Sequence, residues 1–248
     1  MQGQIIDSKG VDMYTFESRI RYSEVDAEGK LPVPGIIDYF QDCSVFQSED
    51  LGVGVEYLAS KNRAWMLNSW QVVIERHPLE GELVRTSTWA SGFERLFGLR
   101  NFTMKDEQGE MLAYANSYWV YMDLEMGRPV KATPEEVAVY QPEPALLMEY
   151  EPRKIKLPKE WKEKEPLTVP KSWIDSNHHV NNSQYVRQAW NALPLYTKIK
   201  QVRVEYKNSA KLGDVMIPRT WTAEEKIITE LCDEDRTPYA AVEFQLKV

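Results

Sequence analysis

Cysteine and histidine are both scarce in this chain, two and three among 248 residues. Cys43 and Cys232 stand far apart and in no paired motif, which excludes a disulfide framework and a Cys-x-x-Cys signature and suits a reducing compartment. No apolar run approaches the roughly 18 residues that a membrane helix requires. The opening MQGQIIDSKGVD has neither a basic leader nor an apolar core. These absences predict a cytoplasmic protein with no membrane attachment. A G-x-S-x-G elbow, a P-loop, a dinucleotide fingerprint and an H-E-x-x-H pair are all missing, so no metal and no other cofactor is expected. Positive charge is in deficit as well. The formal net charge is −8, which argues against nucleic acid as a partner.

What is present is globular: 43% apolar residues, 27% charged, with 8 Trp and 13 Tyr. The clearest break in composition falls at QPEPALLMEYEPRKIKLPKEWKEKEP, residues 141–166, where Pro, Glu and Lys crowd out any apolar period. We read domains over 1–148 and 166–248 with a linker over 149–165.

The two sides follow one plan. RYSEVDAEGKLPVPGIIDYFQ passes through Asp26 into a helix, and PKSWIDSNHHVNNSQYVRQAW does the same through Asp175, 149 residues later. Farther on, Trp70–Glu82 resembles Gln201–Asp214, with Glu75 matching Glu205 at an offset of 130. Ile36, Phe40 and Cys43 share one helical face, as do Val186, Trp190 and Leu193, so helices are predicted at 33–50 and 181–193. Pro34 and Gly35 punctuate the first helix start, and Asn181 and Asn182 are cap candidates for the second. Strand-like stretches with turns at Asp106–Gly109, Lys211–Asp214 and Asp233–Pro238 follow. A helix followed by a run of antiparallel strands, stated twice, is an α+β pattern and not an alternating βαβ one.

The densest chemistry lies in Asp175-Ser176-Asn177-His178-His179-Val180-Asn181-Asn182. Water attacking a carbonyl needs a base, and the oxygen that gains charge needs donors. His179 can serve as the base, Asp175 can orient or polarise, and the Asn177 amide can hold substrate or water. The same stretch also reads as ordinary loop polarity and helix capping. His178 and His179 are adjacent and point differently, so at most one serves the site. In the first half the matching positions hold Glu28 and Lys30, so only the second half is equipped.

From Asp175 to Tyr185 the sequence resembles the Asp-x-Asn-x-His-Val-Asn-Asn-x-x-Tyr signature of the acyl-acyl carrier protein thioesterases, and Tyr22-Ser23-Glu24-Val25-Asp26 fits the start of that family's first domain. The likeness runs from about Tyr14 to the end. It implies tandem hot-dog domains, hydrolysis of fatty acyl thioesters with release of free fatty acid, and catalytic roles for Asp175, Asn177 and His179. The expected partner is an acyl carrier protein, with its pantetheine-linked acyl chain; a homodimer is compatible with it. Glu205 matches an acidic position near the family's site. Strand alternation puts it on the face of Gln201 and Arg203, opposite Val202, Val204 and Tyr206, so a solvent-exposed glutamate is the alternative. Plant members carry a cysteine where this chain has Ala210, which favours direct attack by water. With no transit peptide ahead of Tyr14, the chain looks more like bacterial members.

The first half is expected to bind the acyl chain, with Ile36, Phe40, Trp65 and Met66 as lining; Trp65 and Met66 equally fit an ordinary core. Carrier proteins are acidic, so docking needs local cations, and Arg153–Lys164 or the group Arg187, Lys198 and Lys200 supplies them. The rival readings are an acyl-coenzyme A thioesterase on the same fold and a non-enzymatic module that binds acyl thioesters.

Overall fold

A computed structural model of the chain describes residues 5–6 and 12–247. Strands β1 (Ile5–Ile6) and β2 (Asp12–Arg19) lead through a 3-10 turn at Tyr22–Glu24 into helix α1 (Val33–Asp50) and the short α2 (Val55–Ser60). Then come β3 (Arg63–Ile74), β4 (Leu83–Glu94), β5 (Phe97–Lys105), β6 (Met111–Asp123), β7 (Arg128–Pro129) and α3 (Pro134–Ala138). The remainder holds β8 (Lys162–Glu163), β9 (Leu167–Thr168), a 3-10 turn at Lys171–Trp173, α4 (Asn182–Asn191), β10 (Ile199–Tyr206), β11 (Val215–Thr222), β12 (Lys226–Cys232) and β13 (Pro238–Leu246).

Two compact units result. One takes the chain up to Asn68 together with Glu75–Tyr150; the other takes Ser69–Ile74 together with the chain from Glu151 onward. Strand β3 is divided because its last residues pair with β10. Val72 faces Val202, its own counterpart at the repeat offset of 130, and Gln71 faces Arg203. Composition carries no mark of this exchange.

In the first unit the strand order is β1-β2-β4-β5-β6-β3, and the pairs from β1 to β6 run antiparallel. Helix α1 matches the predicted span. Pro34 sits where its missing N–H costs nothing, and the helix ends at Leu51 and Gly52, where Gly52 takes φ +71°. Its apolar face is sealed: Ile36, Phe40 and Cys43 are fully buried, and the Phe40 ring lies 5.3 Å from Phe102. The predicted turn between β5 and β6 forms because Asp106 Oδ1 accepts the N–H groups of Gln108 and Glu110, at 3.0 and 2.9 Å.

In the second unit the order is β3-β10-β13-β12-β11-β8, with β9 also beside β11. Helix α4 buries Tyr185, Val186 and Ala189, and Tyr185 joins a core of Val180, Met216, Leu231 and Ala240. This face is rotated from the predicted one. Trp190 is only half-buried at its edge, and Leu193 lies past the helix end because Pro194 disfavours helical backbone in the residue before it.

The opposite face of this sheet is covered too. Ile155 packs on Ile228 and Ala241 beside Trp161 and Trp221. Gln71 Oε1 accepts the Glu151 N–H at 3.0 Å, Arg203 donates to the carbonyls of Pro152 and Lys154, and Glu205 Oε2 accepts the Ile155 N–H at 3.2 Å. The face holding Gln201, Arg203 and Glu205 is therefore a clasp for residues 151–155, and the first two of these side chains are buried. Alternation identified the face but not its cover. Among the described residues no helix is long and apolar enough to cross a membrane.

Candidate active site

The Asp175–His179 stretch closes a tight hairpin between Ile174 and Val180, which form an isolated antiparallel bridge. The Asp175 N–H donates to the His179 carbonyl at 2.9 Å, and the His178 N–H to the Asp175 carbonyl at 3.1 Å. Asp175 Oδ1 accepts the N–H groups of Asn177 and His179 at 2.8 and 3.4 Å. Asn181 then caps α4, its Oδ1 accepting the Ser183 N–H at 3.0 Å.

The same loop stands in the first unit. Asp26 donates to the Lys30 carbonyl at 2.9 Å, Gly29 donates to the Asp26 carbonyl at 3.0 Å, and Asp26 Oδ1 accepts the N–H groups of Glu28 and Lys30 at 2.9 and 3.1 Å. Each bond recurs 149 residues later. The aspartate is thus the loop's scaffold in both units, and what distinguishes the second is side-chain chemistry. Glu28 and Lys30 pair with each other at 3.1 Å, whereas the side chains of Asn177 and His179 make no hydrogen bond among the described residues. Asn177 is exposed and His179 half-buried.

A frame behind the loop holds it in place. The Ala210 carbonyl accepts the Val180 N–H at 3.0 Å, and the Ala210 N–H donates to the Tyr185 hydroxyl at 2.8 Å. The Tyr206 hydroxyl donates to the Asn182 carbonyl at 3.0 Å, and its ring meets that of Tyr185 edge-on at 6.0 Å. Burial pushes the Tyr185 phenol up to about 12, so it stays a neutral hydroxyl. Sequence reasoning assigned no role to Tyr185 or Tyr206. A tyrosine on the buried side of a helix needs a partner for its hydroxyl, and that was the available signal.

Of the predicted set, Asp175, Asn177 and His179 share one loop, in which Asp175 Oδ1 accepts the backbone N–H groups of the other two. Glu205 is separate, on the sheet face opposite α4 and engaged with the Ile155 backbone. Ile36 and Phe40 lie in the first unit's core. Trp65 stacks at 4.5 Å on Tyr121 and near Phe93 and Tyr140, while Met66, the next residue on β3, is exposed. Among the described residues no cluster of His, Cys, Asp and Glu is arranged to hold a metal ion.

A helix on an antiparallel sheet, twice over, with Asn177 and His179 on the loop of the second copy alone, is a tandem hot-dog protein. Profiles of the acyl-ACP thioesterase N-terminal and C-terminal domains match residues 11–140 and 155–237, and the chain belongs to that family. A chloroplastic palmitoyl-acyl carrier protein thioesterase of Gossypium hirsutum is 27% identical over 190 residues, covering 71% of this chain and 46% of its own. The chain spans about half the length of such plant relatives. An acyl-ACP thioesterase structure from Bacteroides thetaiotaomicron superposes with a TM-score of 0.87 at 23% identity, covering 95% of this chain and 98% of that one. The 12:0-ACP thioesterase of Umbellularia californica gives 0.83 at 19% identity, over 95% and 97%. At these identities the two structures speak to the fold alone.

Proposed function

We propose that the protein hydrolyses fatty acyl thioesters of acyl carrier protein, releasing free fatty acid and ending chain elongation. The observation that carries this reading is the duplicated loop whose second copy alone presents Asn177 and His179. His179 takes a proton from water as the water oxygen attacks the thioester carbonyl carbon. The Asn177 amide donates to the oxygen as it becomes negative, and Asp175 orients the charged imidazole. Collapse of the tetrahedral intermediate breaks the C–S bond, and the leaving thiolate takes the proton from His179. The products are a carboxylic acid and the carrier's free thiol. With alanine at position 210, no thiol stands there to form an acyl-enzyme, so water attacks directly.

Both cysteines are buried and unpaired, in keeping with a reducing compartment such as the cytoplasm. The test is product analysis after incubation with a ladder of acyl carrier protein thioesters. Free fatty acid should appear with the wild type and fall about 10²-fold in rate with His179→Ala. Faster turnover of the matching coenzyme A thioesters would replace the carrier-protein assignment.

A further inference from the structure

Past the last turn of α4 the chain makes a turn whose two central side chains pack on nothing. Leu195 is 86% exposed and Tyr196 81%, and Tyr196 holds a left-handed backbone at φ +62°. The turn is tied nonetheless: Thr197 Oγ1 donates to the Pro194 carbonyl at 2.6 Å. Single exposed apolar side chains are ordinary, but two adjacent ones on a strained, fastened turn keep a cost that folding does not require.

The stretch of sequence holding the turn carries charge of one sign. From Arg187 to Lys200 the sequence contains Arg187, Lys198 and Lys200 and no Asp or Glu, in a chain whose net charge is −8. An apolar pair set among cations fits an acidic surface that carries its own apolar residues.

We infer that the α4–β10 connection, Leu195 and Tyr196 with Arg187, Lys198 and Lys200, is the docking surface for the acidic carrier protein that delivers the acyl group. This rests on the function proposed above. The Asp175–His179 loop precedes the N-terminus of α4 and the turn follows its C-terminus, so the two are separated by the helix length, about 15 Å for ten residues. An extended pantetheine arm bridges that interval. In the other basic stretch, Arg153–Lys164, Arg203 and Glu205 hold the backbone at Lys154 and Ile155 on the sheet face opposite α4, and Lys162 lies in β8 beside β11.

The two parts of the surface act differently. Cations at a rim raise the encounter rate in a salt-dependent way, whereas apolar anchors slow dissociation. The experiment compares wild type, L195S/Y196S and K198Q/K200Q, using one acyl group carried either on carrier protein or on pantetheine. Titration of the three proteins with unacylated holo carrier protein runs alongside. The ratio of kcat/KM for carrier-bound over pantetheine-bound substrate should fall about tenfold in each variant. Salt dependence should flatten in K198Q/K200Q and keep the wild-type slope in L195S/Y196S.

An unchanged ratio in both variants overturns the inference. So does an equal loss on both substrates, which would make the turn a support for α4, or a wild-type dimer that L195S/Y196S dissociates while carrier affinity holds. If the wild type hydrolyses the pantetheine thioester but not the carrier-bound one, the proposed function falls. The titration then still decides the surface: affinity weakened about tenfold supports it, and unaltered affinity refutes it.

Discussion

His178 stands where the first unit has Gly29, and both residues hold the left-handed backbone, at φ +61° and +69°, in loops closed by the same hydrogen bonds. Glycine takes that conformation freely, whereas a side chain there costs about 1 kcal/mol. The His178 side chain is exposed. His178→Gly should therefore raise Tm by about 2–4 °C, the shift expected for a chain of this size. Turnover should stay within about twofold of wild type. A tenfold loss of kcat would place His178 in the chemistry beside His179.

Asp175 holds the loop together, and substitution separates that role from the one proposed for its charge. Asp175→Asn keeps an oxygen for the N–H groups of Asn177 and His179 but removes the charge, so Tm should hold while kcat falls roughly 10²-fold. Asp175→Ala should lose kcat and also about 1–2 kcal/mol of stability. The twin substitution Asp26→Ala should cost similar stability, with kcat per folded molecule unaltered, because Glu28 and Lys30 take no part in the reaction. Full activity in Asp175→Asn would reduce the aspartate to a loop scaffold in both units.

Arg203 and Glu205 are predicted to act on stability. Arg203 donates to Glu243 Oε1 at 2.8 Å and to two carbonyls of the covering segment, and its loss leaves the buried Glu243 with Lys226, at 3.2 Å, as its ion-pair partner among the described residues. Removing one partner of such a pair costs about 3 kcal/mol, so Arg203→Ala should lower Tm by roughly 6–12 °C. Faster hydrogen exchange at residues 151–155 should accompany it. Glu205→Gln keeps its acceptor for the Ile155 N–H and should change kcat by less than about threefold. A large loss of kcat at unchanged Tm would return Glu205 to the mechanism.

The protein should weaken in alkali. Burial, the largest cause, raises both Tyr185 and Tyr39 to about 12 in the folded chain, against about 10 when unfolded. Between those values the unfolded state gives up protons that the folded state keeps, so stability falls as pH rises. The contribution is complete below about pH 10 and is lost as pH approaches 12. Thermal unfolding followed from pH 8 upward should show the decline, with a shallower slope in Tyr185→Phe. That variant should start from a lower plateau, because the Ala210 N–H loses its acceptor. An identical slope in the two proteins would remove Tyr185 as a source.

Much of the architecture was legible because its signals are local. The spacing of Ile36, Phe40 and Cys43 with Pro34 defines α1 within one stretch of chain, and Asp106 with Gly109 defines a turn within four residues. The offset of 149 aligned Asp26 with Asp175 from sequence alone, and each hydrogen bond of the two loops agrees with it. Asn177 and His179 stood out because their counterparts, Glu28 and Lys30, are chemically different at the same positions.

Sequence by itself thus determined α1, the Asp106 turn and the pairing of the two aspartate loops, and showed that only the second loop carries Asn and His, since each depends on neighbours a few positions away. Tertiary structure alone decided the rest. Only the β3–β10 ladder assigns Ser69–Ile74 to the second unit, and only the crossing of residues 151–155 turns the Glu205 face from surface into clasp. The tie from Val180 through Ala210 to Tyr185 joins segments that share no pattern. Strand alternation says which way a side chain points, but what waits there is set by chain arriving from far along the sequence, and no local period records it.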